Sequence, residues 1–272
     1  MTRNSPYALL LAVLLVVALP LKAQAPADSL RTVTESVTVV DTLTGAANAD
    51  SIRPLLPRHM GEIRWYHVTA EVGAVALASL LDESLRTSIQ SNRTEGKDDV
   101  ARVFRHIGQP EVYGAIGLGT ILTGVLTGNA KVRRAGERIS AGLLGAGAFT
   151  VFLKMVVGRH RPNAADNAFL FNPFNTHDDS WPSGHTTMAF ALATGVSDEL
   201  HSTPATIILY GSAAMTGWSR INDDKHWLSD VLAGAIIGVT GAKFMNGHWK
   251  VLGLHGPRFV LEPEGVGVAL GW

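Results

Sequence analysis

The sequence predicts an all-α fold, a bundle of six helices, and three observations support this prediction. Apolar runs of helical length recur from residue 65 onward, over 65–81, 112–127, 139–157, 186–200, 204–218 and 227–244. They are rich in Gly and Ala, which allow helices to approach closely. Charged residues make up 17% of the chain, below the roughly one quarter of soluble domains. This composition favours a helical bundle associated with a membrane.

The charge balance and the absence of cysteine exclude several functions. The 23 basic and 23 acidic residues cancel, so no overall charge favours nucleic acid as a partner. Without cysteine the chain has no disulfides, no thiolate catalysis and no cysteine-ligated zinc. Oligomeric state has no signature in the sequence.

Residues 1–25 are predicted to be a signal peptide. Arg3 precedes an uncharged apolar stretch over 7–21, and Ala23-Gln24-Ala25 fits a small-x-small cleavage site. The stretch is shorter than the roughly 20 residues that span a bilayer, although an uncleaved anchor is the alternative. Residues 26–60, rich in Ser, Thr, Asp and Ala, are predicted to form a flexible spacer, with a possible short strand at 33–40.

The helical domain is predicted over 61–250, and a separate tail over 251–272. Apolar and polar residues alternate loosely along this tail, and Glu262-Pro263-Glu264-Gly265 supplies a turn. The pattern predicts a short strand or a hairpin at the C-terminus.

A cluster around the last apolar run combines Ser219 and Arg220 with His226 and Asp230. His226 and Asp230 are four residues apart, so they lie on one face if they share a helix. Alternatively, Asp230 orients the ring from a neighbouring turn. A carboxylate on one ring nitrogen leaves the other nitrogen as a nucleophile. The Arg220 guanidinium can bind two phosphate oxygens at once.

Two further clusters complete an inventory for phosphoryl transfer. Pro182-Ser183-Gly184-His185 stands where a loop enters an apolar helix, and helix N-terminal amides favour anions. Lys154 and Arg161 flank the C-terminal end of the preceding apolar run. Phosphoryl transfer requires neutralisation of the equatorial oxygens, an in-line nucleophile and a proton for the leaving group. The clusters contain candidates for each role and predict a phosphatase.

The spacing Lys-x6-Arg-Pro, then Pro-Ser-Gly-His, then Ser-Arg-x5-His-x3-Asp resembles the phosphatase branch of the type 2 phosphatidic acid phosphatase and vanadium haloperoxidase superfamily. All eleven signature positions are present in order, and the resemblance covers roughly 65–245. It implies that His226 attacks phosphorus and forms a phosphohistidine, that Asp230 orients His226, and that His185 is the general acid. It also implies that five groups bind the phosphoryl oxygens: Lys154, Arg161, Ser183, Gly184 and Arg220.

The resemblance further implies a reaction without a cofactor or metal, since Lys154, Arg161 and Arg220, the three site cations, supply the positive charge that magnesium would otherwise provide. The expected substrates are phosphate mono- or diphosphate esters, lipid phosphates foremost, with soluble phosphate esters as the alternative. Two functions outside this reading are a vanadate-dependent haloperoxidase and a non-catalytic membrane protein.

The charged segment 131–138 bears on location. If the flanking helices span a membrane, its positive charge places it in the cytoplasm, and the clusters then face outside the cytoplasm. Three full spans after an exported N-terminus would instead place the site inside. Either the first helix, which contains Glu71, lies along the surface, or the bundle is a soluble exported domain. The expected location is the cell membrane or the periplasm, with the site outside the cytoplasm.

Overall fold

The computed structural model describes residues 61–175, 177–256, 258–262 and 265–269, and within them the fold is all-α, as predicted. The predicted signal peptide and spacer lie outside these residues. All six predicted helices are present, and two more accompany them. The helices are α1 (Trp65–Ser79), α2 (Asp82–Ser91), α3 (Glu95–Ile107), α4 (Pro110–Leu126), α5 (Ala130–Val157), α6 (Gly184–Leu200), α7 (Thr203–Asn222) and α8 (Leu228–Met245).

The two helices that the sequence pattern missed, α2 and α3, are short and charged. Both begin with acidic residues in the first turn, which favours a helix N-terminus electrostatically. The Thr94 side chain also caps α3 by accepting a hydrogen bond from the Lys97 amide. Their apolar residues lie on one face only, so they do not form the long apolar runs on which the prediction relied.

Four short strands complete the described chain. Strand β1 (Gly61–Ile63) pairs in parallel with β2 (Trp249–Val251), which follows α8. Strands β3 (Arg258–Glu262) and β4 (Gly265–Ala269) pair antiparallel, with Glu262 opposite Gly265. The tail therefore forms the hairpin that its alternating pattern and turn residues predict.

Close packing of α6 against α8 positions the three clusters. A Cβ atom on Gly234 would lie 2.6 Å from the Ser183 carbonyl oxygen, and one on Gly238 would lie 2.4 Å from the Thr187 carbonyl oxygen. Only glycine allows the two backbones to approach this closely. Helices α5 and α7 end, and α6 and α8 begin, at the same end of the bundle, so all three clusters meet there.

Helices α5 and α8 are long and apolar enough to cross a membrane, judged by length and composition alone. About a third of the apolar window of α5 is buried in the fold, against 56% for α8. The outer face of α5 exposes large apolar side chains, among them Leu144, Phe149, Val151 and Phe152. The core helix of a soluble protein can meet the same criteria, but exposed apolar surface on this scale favours contact with lipid or a partner.

Candidate active site

The His226 ring is buried beside Asp230 where the chain enters α8. His226 precedes the helix and Asp230 lies in its first turn, so the carboxylate faces the ring from a neighbouring turn. His226 Nδ1 and Asp230 Oδ2 are 3.5 Å apart, longer than a hydrogen bond. Nδ1 has no hydrogen-bond partner among the described residues. At this separation Asp230 acts on the ring through its charge, and a small movement would form the hydrogen bond.

Asp230 is itself held by donors on both carboxylate oxygens. Oδ2 accepts from the Ser180 hydroxyl at 2.5 Å and from the Trp227 amide at 2.9 Å. Oδ1 accepts from the Arg159 guanidinium at 2.6 Å. The carboxylate is fully buried, so these contacts fix its position and compensate its lost hydration.

The second cluster forms the turn into α6. Ser183 occupies the N-cap position, but its side chain makes no capping hydrogen bond. The Ser183 hydroxyl instead accepts from Thr186 Oγ1 at 2.9 Å, and its amide donates to the Asp230 carbonyl at 3.0 Å. A Cβ atom on Gly184 would lie 3.8 Å from Lys154 Cε. Lys154 is thereby placed beside the N-terminus of α6.

Two aspartates hold the three site cations. The Arg161 guanidinium binds Asp179 through Nε at 2.7 Å and through a second nitrogen at 2.9 Å, and the Lys154 ammonium donates to the Asp179 carbonyl. Arg220 donates to the Asp223 carboxylate at 3.1 Å, while its buried Nε has no hydrogen-bond partner among the described residues. The Arg161 guanidinium therefore binds the Asp179 carboxylate through two hydrogen bonds. Guanidinium groups bind phosphate with the same bidentate geometry.

Burial and the site cations lower the pKa of both predicted catalytic histidines. Burial lowers the pKa of His226 to about 4; the Asp230 carboxylate opposes this shift, and Lys154 and Arg161 add to it. Burial also lowers the pKa of His185 to about 4, and all three site cations add to the shift. Both rings are neutral at physiological pH and lie within the field of the same cations, so the structure brings the two histidines to one site.

Several residues that hold the site are absent from the sequence prediction. Arg159, buried to 2% exposure, links Asp230 to Asp82 at the start of α2. The guanidinium carbon atoms of Arg86 and Arg159 lie 5.5 and 5.6 Å from the centre of the Trp227 ring, within the range of cation–π contacts. Arg159 lies in the basic stretch 158–162 beside the Arg161-Pro162 motif, so the sequence does contain a signal that could have identified it. Asp82 has no such signal, since it lies in a segment far from every motif.

The chain is also similar to known proteins. Residues 138–250 match the family model described as the PAP2 superfamily. Over 90 residues the chain is 40% identical to the Lipid A 1-phosphatase of Porphyromonas gingivalis, a match covering 32% of this chain. The chain spans only 20% of the length of that relative.

Two solved structures also resemble the chain. The crystal structure of Aquifex aeolicus LpxE is 24% identical, with a TM-score of 0.44, and the match covers 60% of this chain and 92% of that one. A transmembrane PAP2 type phosphatidylglycerolphosphate phosphatase from Bacillus subtilis is 16% identical, with a TM-score of 0.46, covering 64% and 91%. The family-model match alone contains every predicted site residue from Lys154 to Asp230, and segment 138–250 of this chain is similar to the PAP2 superfamily.

Proposed function

We propose that the protein is a metal-independent phosphatase that hydrolyses lipid phosphate esters through a phosphohistidine at His226. The observation that carries this proposal is a buried, neutral imidazole with a carboxylate behind it and the three site cations around it. A neutral ring nitrogen is a nucleophile, and the cations stabilise the charge on the equatorial oxygens in the transition state.

The reaction has two steps. A bound phosphate dianion offsets the site cations, so His185 carries a proton in the complex. His226 Nε2 attacks phosphorus, the bond to the leaving oxygen breaks, and the protonated His185 donates its proton to that oxygen. His185 then takes a proton from water, whose oxygen attacks the phosphohistidine and releases phosphate and the free imidazole. Asp230 stabilises the positive ring in the intermediate. The Ser183 hydroxyl and the Gly184 amide, which lie at the start of α6, bind phosphoryl oxygens together with the site cations.

Lipid is the favoured substrate because large apolar side chains are exposed in the loop that also carries site residues. This loop, between α5 and α6, exposes Phe169, Leu170, Phe171 and Phe174, and the Phe171 ring centre is 5.6 Å from the guanidinium carbon of Arg159. The outer face of α5 continues this surface with Phe149, Phe152 and Met155. Exposed apolar surface next to a phosphate site fits a substrate with acyl or prenyl chains. The similarity to a Lipid A 1-phosphatase points to the same class.

The central experiment traps the phosphoenzyme. The purified protein is mixed with a labelled short-chain phosphatidate, quenched in alkali, and tested for base-stable, acid-labile label. His226→Gln should abolish the label and turnover, and His201→Asn is the matched control, since His201 is exposed and lies at the far end of α6 in a left-handed conformation that Asn tolerates. Label retained in His226→Gln would refute the assignment of the nucleophile.

Two comparisons test the substrate class and the metal independence. Phosphatidate should be hydrolysed with a much higher kcat/KM than glycerol 3-phosphate, which has the same phosphate and no chains; equal values would favour soluble esters. EDTA should leave turnover unchanged, and vanadate should inhibit as an analogue of the transition state. Loss of activity in EDTA with recovery in magnesium would refute a metal-independent reaction. Halide oxidation in the presence of vanadate would support the haloperoxidase instead.

We further propose a membrane location with the site facing outside the cytoplasm. The basic residues Lys131, Arg133, Arg134 and Arg138 lie at the start of α5, whereas Lys154 lies at its other end. A cysteine at Ala164, exposed near the site, should react with an impermeant thiol reagent in intact cells. A cysteine at Ala130, exposed at the opposite end, should react only after lysis. The reverse pattern would refute the proposed orientation, and reaction at both positions would indicate a soluble exported bundle.

A further inference from the structure

A buried ionic network behind Asp230 joins α2 to the catalytic residues. One terminal nitrogen of Arg159 donates to Asp230 Oδ1 at 2.6 Å, and the other donates to Asp82 Oδ2 at 2.7 Å. Ser229 bridges the same groups, because its amide and hydroxyl donate to Asp82 at 2.9 and 2.6 Å while its hydroxyl accepts from Arg159 at 2.7 Å. All four residues are at most 2% exposed.

The charges in this network do not cancel. Arg159 contributes one positive charge, and the two carboxylates contribute two negative charges. If Asp82 carried no charge, the positive charge of Arg159 would neutralise Asp230. His226 would then have no effective counter-charge. Asp82 compensates the guanidinium from the other side, so one negative charge remains in the network. Asp82 accepts three hydrogen bonds and donates none, the pattern of an ionised carboxylate.

This remaining charge is placed where the proposed reaction needs it. His226 becomes positive when Nε2 bonds to phosphorus, and its Nδ1 faces Asp230 at 3.5 Å. On its other sides the ring meets cations that oppose this positive charge. The charged groups that act on His226 are Lys154 on α5, Arg161 and Asp179 in the following loop, and Asp230 on α8, with Arg159 and Asp82 behind Asp230.

We propose that Asp82 is a positioning residue for phosphoryl transfer, which offsets the charge of Arg159 so that Asp230 can stabilise the positive imidazole of His226. This inference rests on the proposed function, because it takes His226 as the nucleophile. Asp82 touches no reacting atom in this role. It acts through Arg159, Ser229 and Asp230, from a helix outside the segment that matches the family model.

The test compares Asp82→Asn with the double variant Asp82→Asn/Arg159→Gln. Asp82→Asn keeps the shape of the side chain and removes its charge, so the network becomes neutral. The pKa of His226, followed by NMR of the ring nitrogens, should fall by about one unit, as for the loss of a nearby opposite charge. Phosphoenzyme formation in single turnover should slow by about tenfold, the rate equivalent of that shift, while KM changes little.

The double variant removes both charges and restores one net negative charge on Asp230. The pKa of His226 and the rate of phosphoenzyme formation should therefore return towards the wild-type values, although two hydrogen-bonding groups are altered. Asp198→Asn is the matched control, since Asp198 is also a largely buried carboxylate in ion pairs, with Lys243 and His248, at the far end of α6. It should lower the unfolding temperature without moving the pKa of His226.

The role of Asp82 and the proposed function of the protein can be refuted separately. A pKa of His226 that stays at its wild-type value in Asp82→Asn would overturn the inference. So would a pKa of His226 in the double variant that differs from the wild-type value by more than it does in Asp82→Asn. The titration needs no turnover, so it remains informative if the proposed function fails. A wild-type protein that forms no phosphoenzyme would refute the proposed function, whereas phosphoenzyme in the wild type with an unmoved titration would refute the role of Asp82 alone.

Discussion

The helix pair α6 and α8 differs from the pair α2 and α3 in what each brings to the site. Helices α6 and α8 are apolar, pack through glycine, and begin with the residues proposed to react, His185 just inside α6 and His226 just before α8. Helices α2 and α3 are charged and contribute side chains that hold those residues from behind. The groups proposed to perform the chemistry thus lie in short motifs, while the groups that hold them come from segments without a motif.

Apart from loss of His226 itself, the largest effect should follow loss of a site cation. Arg161→Gln removes the two-point anion contact from the loop after α5, and kcat/KM should fall by about 10²–10³-fold, as when a transition-state donor is lost. Steady-state kinetics on a short-chain phosphatidate measure this change. Arg102→Gln is a suitable control, because Arg102 forms an exposed ion pair within α3. A loss under fivefold in Arg161→Gln would remove Arg161 from the binding set.

A smaller effect should follow a change in the supporting helix α3. Arg105 and Arg220 share the Asp223 carboxylate, at 3.0 and 3.1 Å. Arg105→Gln leaves Asp223 to Arg220 alone, which strengthens their pair and makes Arg220 harder to draw towards phosphate. KM should rise by about three- to tenfold, equivalent to about 1 kcal/mol, with kcat little changed. A fall of about 10²-fold in kcat would mean that α3 contributes directly to the reaction. The distinction between the reacting helices α6 and α8 and the supporting helices α2 and α3 would then be wrong.

The pH profiles of kcat and kcat/KM should differ in one direction. Burial and then Arg220 and Arg161 depress the pKa of His185 to about 4 in the free enzyme. A bound phosphate dianion offsets these cations, so the pKa of His185 rises in the complex and the ring carries its proton to higher pH. The alkaline limb of kcat should therefore lie at higher pH than that of kcat/KM. Coincident limbs would assign the general acid to another group.

The last expected effect concerns stability in mild acid and not turnover. The pKa of His226 is about 4 in the folded protein and about 6.5 when unfolded, so the unfolded state binds the proton first. The stability that this group contributes is complete above pH 6.5, falls as the pH drops, and is lost below about pH 4. Thermal unfolding between pH 7 and 4 should show this decline, and His226→Gln should flatten it. Equal declines in both proteins would assign the effect to other groups.

Prediction from sequence succeeded where a residue has a local reason for its position. The apolar length of the six predicted helices, the turn residues 262–265 and the spacing around His226 are all local signals, and the structure contains the corresponding elements. Asp82 has no such signal, because its role depends on the guanidinium group of Arg159, which is distant in the chain. The start of α5 was also missed, since its first turns carry the charged residues Lys131 and Arg133.

The contact between Gly234 and Ser183 limits how this protein can change. One added methyl group at Gly234 would displace the Ser183 carbonyl, whose residue also donates its amide to the Asp230 carbonyl. A substitution that looks conservative in the middle of an apolar helix would therefore disturb the anion site. In a collection of variants, Gly234 should tolerate fewer replacements than exposed positions such as Phe174 in the loop between α5 and α6. In a redesign for a new substrate, that loop can be altered while Gly234 is kept unchanged.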